Sequence, residues 1–555
     1  MARSARIDKS WLRIFGGVLL SLHIWVELSL IQNMSVTYNE ASHITAGLAC
    51  WYAEDYDLYN VNPPLPRMLA TSLLLDRADI SLAFIHRIQK DSAVRQENVL
   101  GRLFADTNAL GFHHLVCRAR LAGLFWITLG GVIVWRWSHR LFGASAGLFA
   151  LTLWTFEPTL SAHGALVTAD MPATAATIAA AYCLWIFTCS KRIRDGVIAG
   201  IVLGIALLTK FTVLLLAPLF AVICAHHALS ALRDAQSEIR DVHRASYLFG
   251  CALLCIVALI VVNAGYGFQN VCSPIRSFSP QSSLFSKCFT FIPQRGVVES
   301  LPCPLPSAYL NGLDVQQRDF EQGLYSYLNG CRRQNGWWYY YLVAFSVKSP
   351  LGHLIILVVS LGTIIYKRMS IPSLLWATPL VIFTAASCKT GYTNHLRYIL
   401  PAYPFYCVLA GVLFAEQNQR LRRCALVAGL LGVSISIASC CYHYPNWLGY
   451  FNETVGGPQN GWKYLADSNV DWGQDWLELK RWLDRNSRTT AIHVALAGVV
   501  DPAIYLEARY PLPHAGMGGI AIVDAHNLML DYSWLMDQQL VSRIGTSIFV
   551  FKVNP

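Results

Sequence analysis

The sequence predicts a polytopic α-helical membrane protein with a small α/β domain at its C-terminal end. Only 14% of the residues are charged and 54% are hydrophobic, whereas a soluble globular chain carries roughly 25% charged residues. The apolar residues form blocks close to the roughly 20 residues that a helix needs to cross a bilayer. Short basic clusters separate these blocks, as in the cytoplasmic loops of membrane proteins.

Eleven apolar blocks are the candidate membrane spans. The first covers about residues 14–31. It follows a basic head and is too long for the apolar region of a signal peptide, so we expect it to be retained. The other blocks lie at about 117–135, 144–162, 171–189, 196–209, 211–229, 247–265, 338–365, 371–388, 398–415 and 424–442.

The basic clusters orient these spans. With eleven spans, all six clusters fall on one side of the membrane, which identifies that side as the cytoplasm. The N-terminus is therefore expected inside the cell and the C-terminus outside. The net charge of +10 is spread over the clusters and is not gathered on one domain, so nucleic acid is excluded as a partner.

The predicted domains are a transmembrane domain over 1–442 and an extracytoplasmic α/β domain over 443–555. The second domain alternates helix-like and strand-like segments. Long extracytoplasmic loops are expected at about 33–116 and 266–336, and a loop as long as the first is uncommon without a function. Within this loop, the pattern of apolar and charged residues over 72–88 predicts an amphipathic surface helix.

Cysteines do not indicate a metal site, because no CxxC pair or His/Cys spacing typical of zinc is present. Four of the 16 cysteines share the second long loop. In an oxidising compartment we expect one or two disulfides among them, with three pairings open. These residues are Cys272, Cys288, Cys303 and Cys331.

Two carboxylates fall at the outer membrane face. Glu40 follows the first span in TYNEASHITAG, and Asp170 lies in HGALVTADMPATAA, between the third and fourth spans. Ionisable residues at this depth are costly and usually functional. Structural alternatives stay open: Asp170 suits a helix start before Pro172, and Glu40 with His43 is spaced for one face of a solvated helix.

Several cations lie on the same outer side, against the positive-inside tendency. They are Arg67, Lys210, Lys348, Lys389, His395 and Arg397. A lipid phosphate is the anion that such cations suit, and the alternative is a side chain that extends to the membrane interface. A carboxylate base beside a cationic phosphate site fits transfer from a lipid-phosphate donor to a hydroxyl.

The motifs resemble a known family. TYNEASHITAG and LYNVNPPLPRML are similar to the first-loop signature of the family 39 glycosyltransferases, in the GT-C superfamily with the protein O-mannosyltransferases and aminoarabinose transferases. HGALVTADMPA resembles the second acidic motif of that family, and LLTKF resembles the lysine turn that follows. NGWWYYYLVAFSVKSPL, NHLRYILPAYPF and GYFNETVGGPQNGWKYLADSNVDWGQDWLELKRWL resemble an uncharacterised bacterial branch.

The resemblance covers nearly the whole chain. It implies a GT-C-like fold, a polyprenyl-phosphate sugar as donor, an active site outside the cytoplasm and an inverting transfer. The bacterial branch implies the inner membrane, with the C-terminal domain in the periplasm.

Carried over by position, the Asp–Glu pair of the family falls on Asn39 and Glu40. An amide cannot take up a proton as a carboxylate does. The expected catalytic residues are therefore Glu40 or Asp170 as the base, with Asn39 beside them, unless activity is weak or lost.

The remaining site predictions concern donor and acceptor. The residues expected to bind the donor phosphate are Arg67, Lys210, Lys389, His395 and Arg397. Those expected to contact the acceptor or the C-terminal domain are His43, Asp471 and Asp475. Asp471 and Asp475 are four residues apart and so predict a shared helix face; helix capping and packing is the alternative that we favour for them.

The predicted function is transfer of a hexose or pentose from a polyprenyl-phosphate donor to a hydroxyl of a lipid, protein or glycan. The partners are thus the lipid-linked sugar, membrane lipid and that acceptor. No cofactor is expected and, because the carboxylate density is modest, no metal either. Two alternatives stay open: a non-catalytic binder of lipid-linked sugars, which Asn39 suggests, and a transporter. Anion transporters usually show internal repeats, and none is visible here.

Overall fold

The computed structural model describes residues 9–89, 95–233, 238–290, 301–388, 395–415, 419–486 and 491–554. The helices of the first half are α1 (Lys9–Asn33), α2 (Glu40–Tyr52), α3 (Leu65–Ser72), α4 (Glu97–Thr107), α5 (Phe112–Arg120), α6 (Ala122–Phe142), α7 (Ala144–Thr155), α8 (Pro158–Gly164), α9 (Asp170–Ser190), α10 (Ile193–Leu207), α11 (Ala217–Arg233) and α12 (Glu238–Gly265).

The helices of the second half are shorter on average. They are α13 (Ser283–Thr290), α14 (Ser307–Gln322), α15 (Tyr340–Lys348), α16 (Leu351–Lys367), α17 (Leu374–Ser387), α18 (Tyr403–Leu409), α19 (Gln419–His443), α20 (Trp476–Asn486), α21 (Ala503–Leu506) and α22 (Ala525–Leu530). The strands are β1 (Tyr325–Leu328), β2 (Cys331–Gln334), β3 (Ile492–Ala495), β4 (Gly519–Asp524), β5 (Gln539–Ile544) and β6 (Ile548–Val553).

Seven helical segments of the described chain are long and apolar enough to cross a membrane. They are Trp11–Asn33, Ala109–Phe142, Asp170–Ser190, Phe211–Leu229, Ala245–Gly265, Leu396–Phe414 and Arg423–His443. An eighth candidate is the pair α15 and α16, which is bent by 117°. The protein is thus an integral membrane protein, and the predicted polytopic helical fold is confirmed.

All eleven predicted blocks fall on helices, but three of these helices are short. The blocks at 144–162, 196–209 and 371–388 contain α7, α10 and α17, which have 12, 15 and 14 residues. These are below the roughly 20 residues of a full span. By length and composition, eight segments are therefore candidates to cross the membrane alone, and the topology with eleven spans requires that α7, α10 and α17 cross as well.

Small residues allow the membrane helices to approach closely. Gly130 and Gly131 of α6 face the indole of Trp154 on α7, and a Cβ atom at Gly130 would lie 2.5 Å from that ring. The Trp154 N–H donates to the carbonyl of Ile127 at 3.1 Å. The glycine pair therefore makes room for a buried aromatic ring whose polar atom is satisfied.

The first loop contains α2, α3, α4 and α5, but the predicted helix over residues 72–88 is wrong. Helix α3 ends at Ser72, turns follow, and only a short 3-10 turn forms at Ile85–Arg87. The Arg77 guanidinium binds Asp79 two residues on, a pairing that does not lie along a helix face.

The second long loop contains α13, α14 and the β1–β2 hairpin. Its four cysteines carry free thiols, so the structure forms none of the predicted disulfides among these described residues. The backbone N–H of Cys272 nevertheless donates to the carbonyl of Cys303 at 2.9 Å.

A four-stranded sheet in the order β3-β4-β6-β5 forms near the C-terminal end. Strands β3 and β4 are parallel, and the β4–β6 and β6–β5 pairs are antiparallel. Helix α20 packs beside the sheet through Trp476, Leu479 and Leu483, which share one face at helical spacing. This apolar core continues into α2, α4 and α5, so the first loop and the tail are packed as one body.

Candidate active site

A polar cavity of about 470 Å³ lies where the first loop, the membrane helices and the tail meet. From the first loop it is lined by Tyr38, Asn39, His43, Tyr59 and Asn62. From the membrane helices and the turns at their ends it is lined by Thr168, Asp170, Lys210, His395, Arg397 and Tyr398. The lining residues of the tail include Asp467, Asp471, Trp472 and His526.

Asp170, Lys210 and Arg397 form the charged centre of this cavity. The Lys210 Nζ atom lies 2.6 Å from Asp170 Oδ1, and Arg397 Nη1 lies 3.9 Å from Asp170 Oδ2. Asp170 is the first residue of α9, where the helix dipole favours a negative charge. The sequence offers Asp170 as a possible base, and this prediction is corrected because both of its carboxylate oxygens face cations. The three side chains together leave one positive charge.

Aromatic rings hold both cations. The Lys210 ammonium lies 4.6 Å from the centroid of the Tyr398 ring, and the Arg397 guanidinium lies 4.4 Å from that of Trp472. Both distances are within cation–π range. The cations are therefore fixed inside the cavity and do not extend to the membrane surface.

Of the three histidines that line the cavity, His43 and His395 are neutral rings at neutral pH. Burial, and after it the Arg67 charge, lowers the pKa of His43 to about 3, and its ring packs edge-on against Tyr59 at 4.5 Å. Burial also lowers the pKa of His395 to about 4. Its Nδ1 atom is 2.9 Å from the hydroxyl of Ser468. Each imidazole can therefore make a hydrogen bond to a ligand but adds no charge.

Glu40 is held in a buried ion pair and does not line the cavity. Arg120 donates to both Glu40 oxygens, at 2.8 and 2.6 Å. The backbone N–H groups of Thr37 and Val167 donate to them as well, at 2.7 and 2.9 Å. This corrects the prediction of Glu40 as a base, because all of its accessible lone pairs are engaged by structural partners.

Arg67 is also structural. It is 2% exposed and donates to the carbonyls of Tyr59 and Asn62 at 2.8 and 2.7 Å. It thereby fixes the proline-rich turn of the first loop. Its predicted contact with the donor phosphate is corrected for that reason, and the remaining predicted cation, Lys389, lies outside the described residues.

The two tail carboxylates have separate surroundings. Asp475 accepts hydrogen bonds from the backbone N–H groups of Thr546 and Ser547 at 2.9 and 3.0 Å. It thereby ties the start of α20 to the β5–β6 turn, as the packing alternative expected. Asp471 lines the cavity. The helix begins only at Trp476, so the prediction that both carboxylates share a helix face is wrong.

Sequence reasoning missed Arg120 and Trp472 as partners of the site. Arg120 lies at the outer end of the second apolar block. A cation is uncommon on that side of the membrane, as it is at Lys210, and this departure from the rule could have identified Arg120. Trp472 had only its position next to Asp471 as a signal. Lys348, another outer cation, lies outside the cavity and donates to the carbonyls of Leu448 and Asn469.

An apolar groove adjoins the polar cavity. The two share Tyr398, the residue whose ring holds the Lys210 ammonium. The other lining residues of the groove include Val213, Leu215, Leu216, Tyr341, Ile382 and Pro401. Leu215 is 50% exposed on the outside of the helical bundle, so the groove reaches the surface that lipid would cover.

Fold and site define the class: an integral membrane protein with a charged cavity between its helices, first loop and tail, beside an apolar groove. Residues 109–262 match the family of dolichyl-phosphate-mannose-protein mannosyltransferases. This match confirms, over that segment, the resemblance that the motifs predicted. A comparison with curated proteins gives no match.

A comparison with solved structures gives matches to two kinds of protein, ArnT and an archaeal oligosaccharyltransferase. The chain is similar to ArnT from Cupriavidus metallidurans in the apo state, with 14% identity, 98% of both chains covered and a TM-score of 0.47. The structure of the same protein bound to undecaprenyl phosphate also gives 14% identity and 98% coverage of both chains, with a TM-score of 0.48. An oligosaccharyltransferase from Archaeoglobus fulgidus gives 11% identity over 91% of this chain and 68% of that one, with a TM-score of 0.39.

Proposed function

We propose that this protein is a membrane glycosyltransferase that moves a sugar from a polyprenyl-phosphate donor to an acceptor hydroxyl. The observation that carries the proposal is the convergence of Lys210 and Arg397 in one cavity that shares Tyr398 with an apolar groove. A lipid-linked sugar phosphate has the same three parts: an apolar chain, an anion and a polar sugar. The family match over residues 109–262 supports the same activity.

The proposed reaction breaks the bond between the anomeric carbon and a phosphate oxygen. The acceptor oxygen attacks that carbon, and the bonding electrons leave with the phosphate. Lys210 and Arg397 stabilise the charge that develops on the phosphate, because cations that are already fixed in position need no reorganisation to do so. Asp170 holds both cations in position. Both of its own oxygens face those cations, which opposes uptake of a proton.

We also propose the orientation that the basic clusters predict. The N-terminus then lies in the cytoplasm of a bacterium, and the cavity and tail lie on the periplasmic face of the inner membrane. The acceptor is a hydroxyl of a lipid, protein or glycan that reaches this face.

The test uses membranes from cells that produce the protein and undecaprenyl phosphate charged with radiolabelled mannose, glucose or aminoarabinose. Label leaves the lipid when the wild-type protein is present. Lys210→Met and Arg397→Met are expected to lower kcat/KM by about 100-fold or more. Lys287→Met is the matched control, since Lys287 is an exposed lysine of α13 outside the cavity, and it keeps full activity. No release from any donor would refute the enzyme assignment.

A second candidate function rests on Asn39, which lines the cavity with an amide where the family resemblance places a carboxylate. In that case the protein binds lipid-linked sugars without turnover. An Asn39→Asp variant that gains activity over a silent parent, with unchanged donor binding, would favour this candidate. Movement of intact donor across liposomes, without bond cleavage, would instead indicate a transporter.

A further inference from the structure

The backbone of the tail brings a second carboxylate to the side of Asn39. The N–H of Tyr38 donates to the carbonyl of Trp472 at 2.9 Å, and the N–H of Ser35 donates to that of Gln474 at 3.1 Å. The Ser35 hydroxyl also donates to the carbonyl of Gly473 at 2.6 Å. These bonds hold residues 471–474 against the chain that leads into α2. The residue placed into the cavity next to them is Asp471.

The Asp471 carboxylate is buried and half satisfied. The side chain is 7% exposed, and its Oδ1 atom accepts the N–H of Gly473 at 3.1 Å. Its Oδ2 atom makes no hydrogen bond of good geometry within the described residues, and the backbone N–H of His526 lies near this carboxylate. Burying an oxygen without a partner costs free energy, so such an atom in a polar cavity indicates that a ligand supplies the partner.

The surroundings also raise the affinity of this carboxylate for a proton. Burial, followed by the nearby Asp524 charge, raises the pKa of Asp471 well above its ordinary range, and the backbone N–H groups of Gly473 and His526 oppose the rise only in part. Asp471 is therefore a better proton acceptor than an ordinary surface aspartate.

The other carboxylates of the cavity are already engaged. Asp170 pairs with Lys210 and Arg397. Asp467 Oδ1 accepts the backbone N–H of Ser468 at 2.5 Å, and although burial opposes it, the pKa of Asp467 lies below its ordinary value. Asp319 binds Arg95 and Arg318.

We propose that Asp471 is the catalytic base of the transfer and supplies the carboxylate that Asn39 lacks. The inference rests on the proposed function. In the step, the acceptor O–H loses its proton to Asp471 Oδ2 as the acceptor oxygen bonds to the anomeric carbon. The carbon–phosphate oxygen bond breaks, and its electrons leave on the polyprenyl phosphate held by Lys210 and Arg397. The C-terminal tail thereby contributes directly to the chemistry.

The test compares two nucleophiles, of which only one carries a proton. An acceptor hydroxyl, or water, needs a base, whereas azide attacks the anomeric carbon as an anion and yields a glycosyl azide. With a labelled undecaprenyl-phosphate sugar that the wild-type protein cleaves, Asp471→Asn should lower transfer to hydroxyl by about 100-fold or more. Transfer to azide should stay within about threefold of the wild-type rate, since the donor and leaving-group contacts are intact. Asp531→Asn, at an exposed position of the same tail, is the matched control and should change neither rate.

A second variant distinguishes loss of the base from a folding defect. Asp471→Ala should lose transfer to hydroxyl and regain part of it when formate is added, because formate can occupy the vacated space as an external base. The inference would be overturned if Asp471→Asn transferred sugar to hydroxyl at the wild-type rate. It would also be overturned if Asp471→Asn lost transfer to hydroxyl and to azide equally and formate did not rescue Asp471→Ala. A wild-type protein that cleaves no donor at all would instead refute the proposed function itself, and this inference with it.

Discussion

Replacing Glu40 by Gln tests whether this residue is part of the chemistry or of the fold. Glu40 is fully buried and receives two hydrogen bonds from Arg120 and one each from the backbone of Thr37 and Val167. The amide keeps one accepting oxygen but leaves the Arg120 charge without a counterion. Removing one partner of a buried pair costs about 3–5 kcal/mol. We expect the lower end, about 3 kcal/mol, because Arg120 still donates to the carbonyl of Met34 and its neighbours.

The assay is thermal unfolding of the purified protein in detergent at a fixed heating rate, since large membrane proteins unfold irreversibly. Glu40→Gln should melt several degrees below the wild-type protein. Arg120→Met, and the double variant that removes both charges, complete a double-mutant cycle. We expect the melting temperature of the double variant to fall by less than the sum of the two single decreases, because residues in direct contact do not act additively. A Glu40→Gln protein that melts like the wild type but transfers no sugar would refute this reasoning and restore Glu40 as the base.

The same ion pair predicts a dependence of stability on pH. Burial alone would raise the pKa of Glu40, but the Arg120 charge and the hydrogen bonds outweigh it, so the pKa lies below its ordinary value of 4.5. A lowered pKa stabilises the folded state at every pH above 4.5, and this stability is lost as the pH falls through the native pKa. Melting temperatures measured between pH 7 and pH 3 should therefore fall more steeply for the wild type than for Glu40→Gln.

Three further substitutions test other contacts. Arg397→Lys keeps the charge but loses the planar stack on Trp472, worth about 0.5–2 kcal/mol, so the Kd for undecaprenyl phosphate should rise about two- to thirtyfold by equilibrium binding. Lys348→Met removes the ammonium that donates to the carbonyls of Leu448 and Asn469, at about 1–3 kcal/mol for each lost bond, so trypsin should release the tail faster than from the wild type. Gly352→Ala places a Cβ atom 1.8 Å from a carbonyl oxygen of α19, whereas the Cβ atom of Gly362→Ala, in the same helix, has no atom within 4 Å. Only Gly352→Ala should lower the melting temperature, by the equivalent of about 1–3 kcal/mol.

The membrane helices could be predicted because apolar block length is a local property of the sequence. The ends of the helices could be predicted less well. The block at 144–162 is interrupted where α7 ends at Thr155 and α8 starts at Pro158. Glu157 lies in this break and α8 carries Thr159, Ser161 and His163, but hydropathy averaged over the whole block conceals them. Proline fixes a helix start without changing the hydropathy of its neighbours.

Within the site, charge at the outer face was the useful signal. Asp170, Lys210 and Arg397 each violate the expected pattern of a span end, and the structure brings all three together. Glu40 and Arg67 gave the same signal but have structural partners. The Arg120 that neutralises Glu40 is 80 positions away, and the acceptors of Arg67 are backbone carbonyls. The sequence alone does not show whether a buried charge is neutralised by another part of the protein or stays available to a ligand.

The cavity depends on how the first loop and the tail fit together. The Glu40–Arg120 pair fixes the chain just after Asn39, and the backbone bonds of Ser35 and Tyr38 fix residues 471–474 above it. A substitution in either element can therefore lower activity by moving Asp471 away from the donor, without touching a reacting atom. Loss of activity alone does not identify the base in such a site. The azide reaction does, because a displaced cavity slows both nucleophiles, whereas a missing base slows only the one that carries a proton.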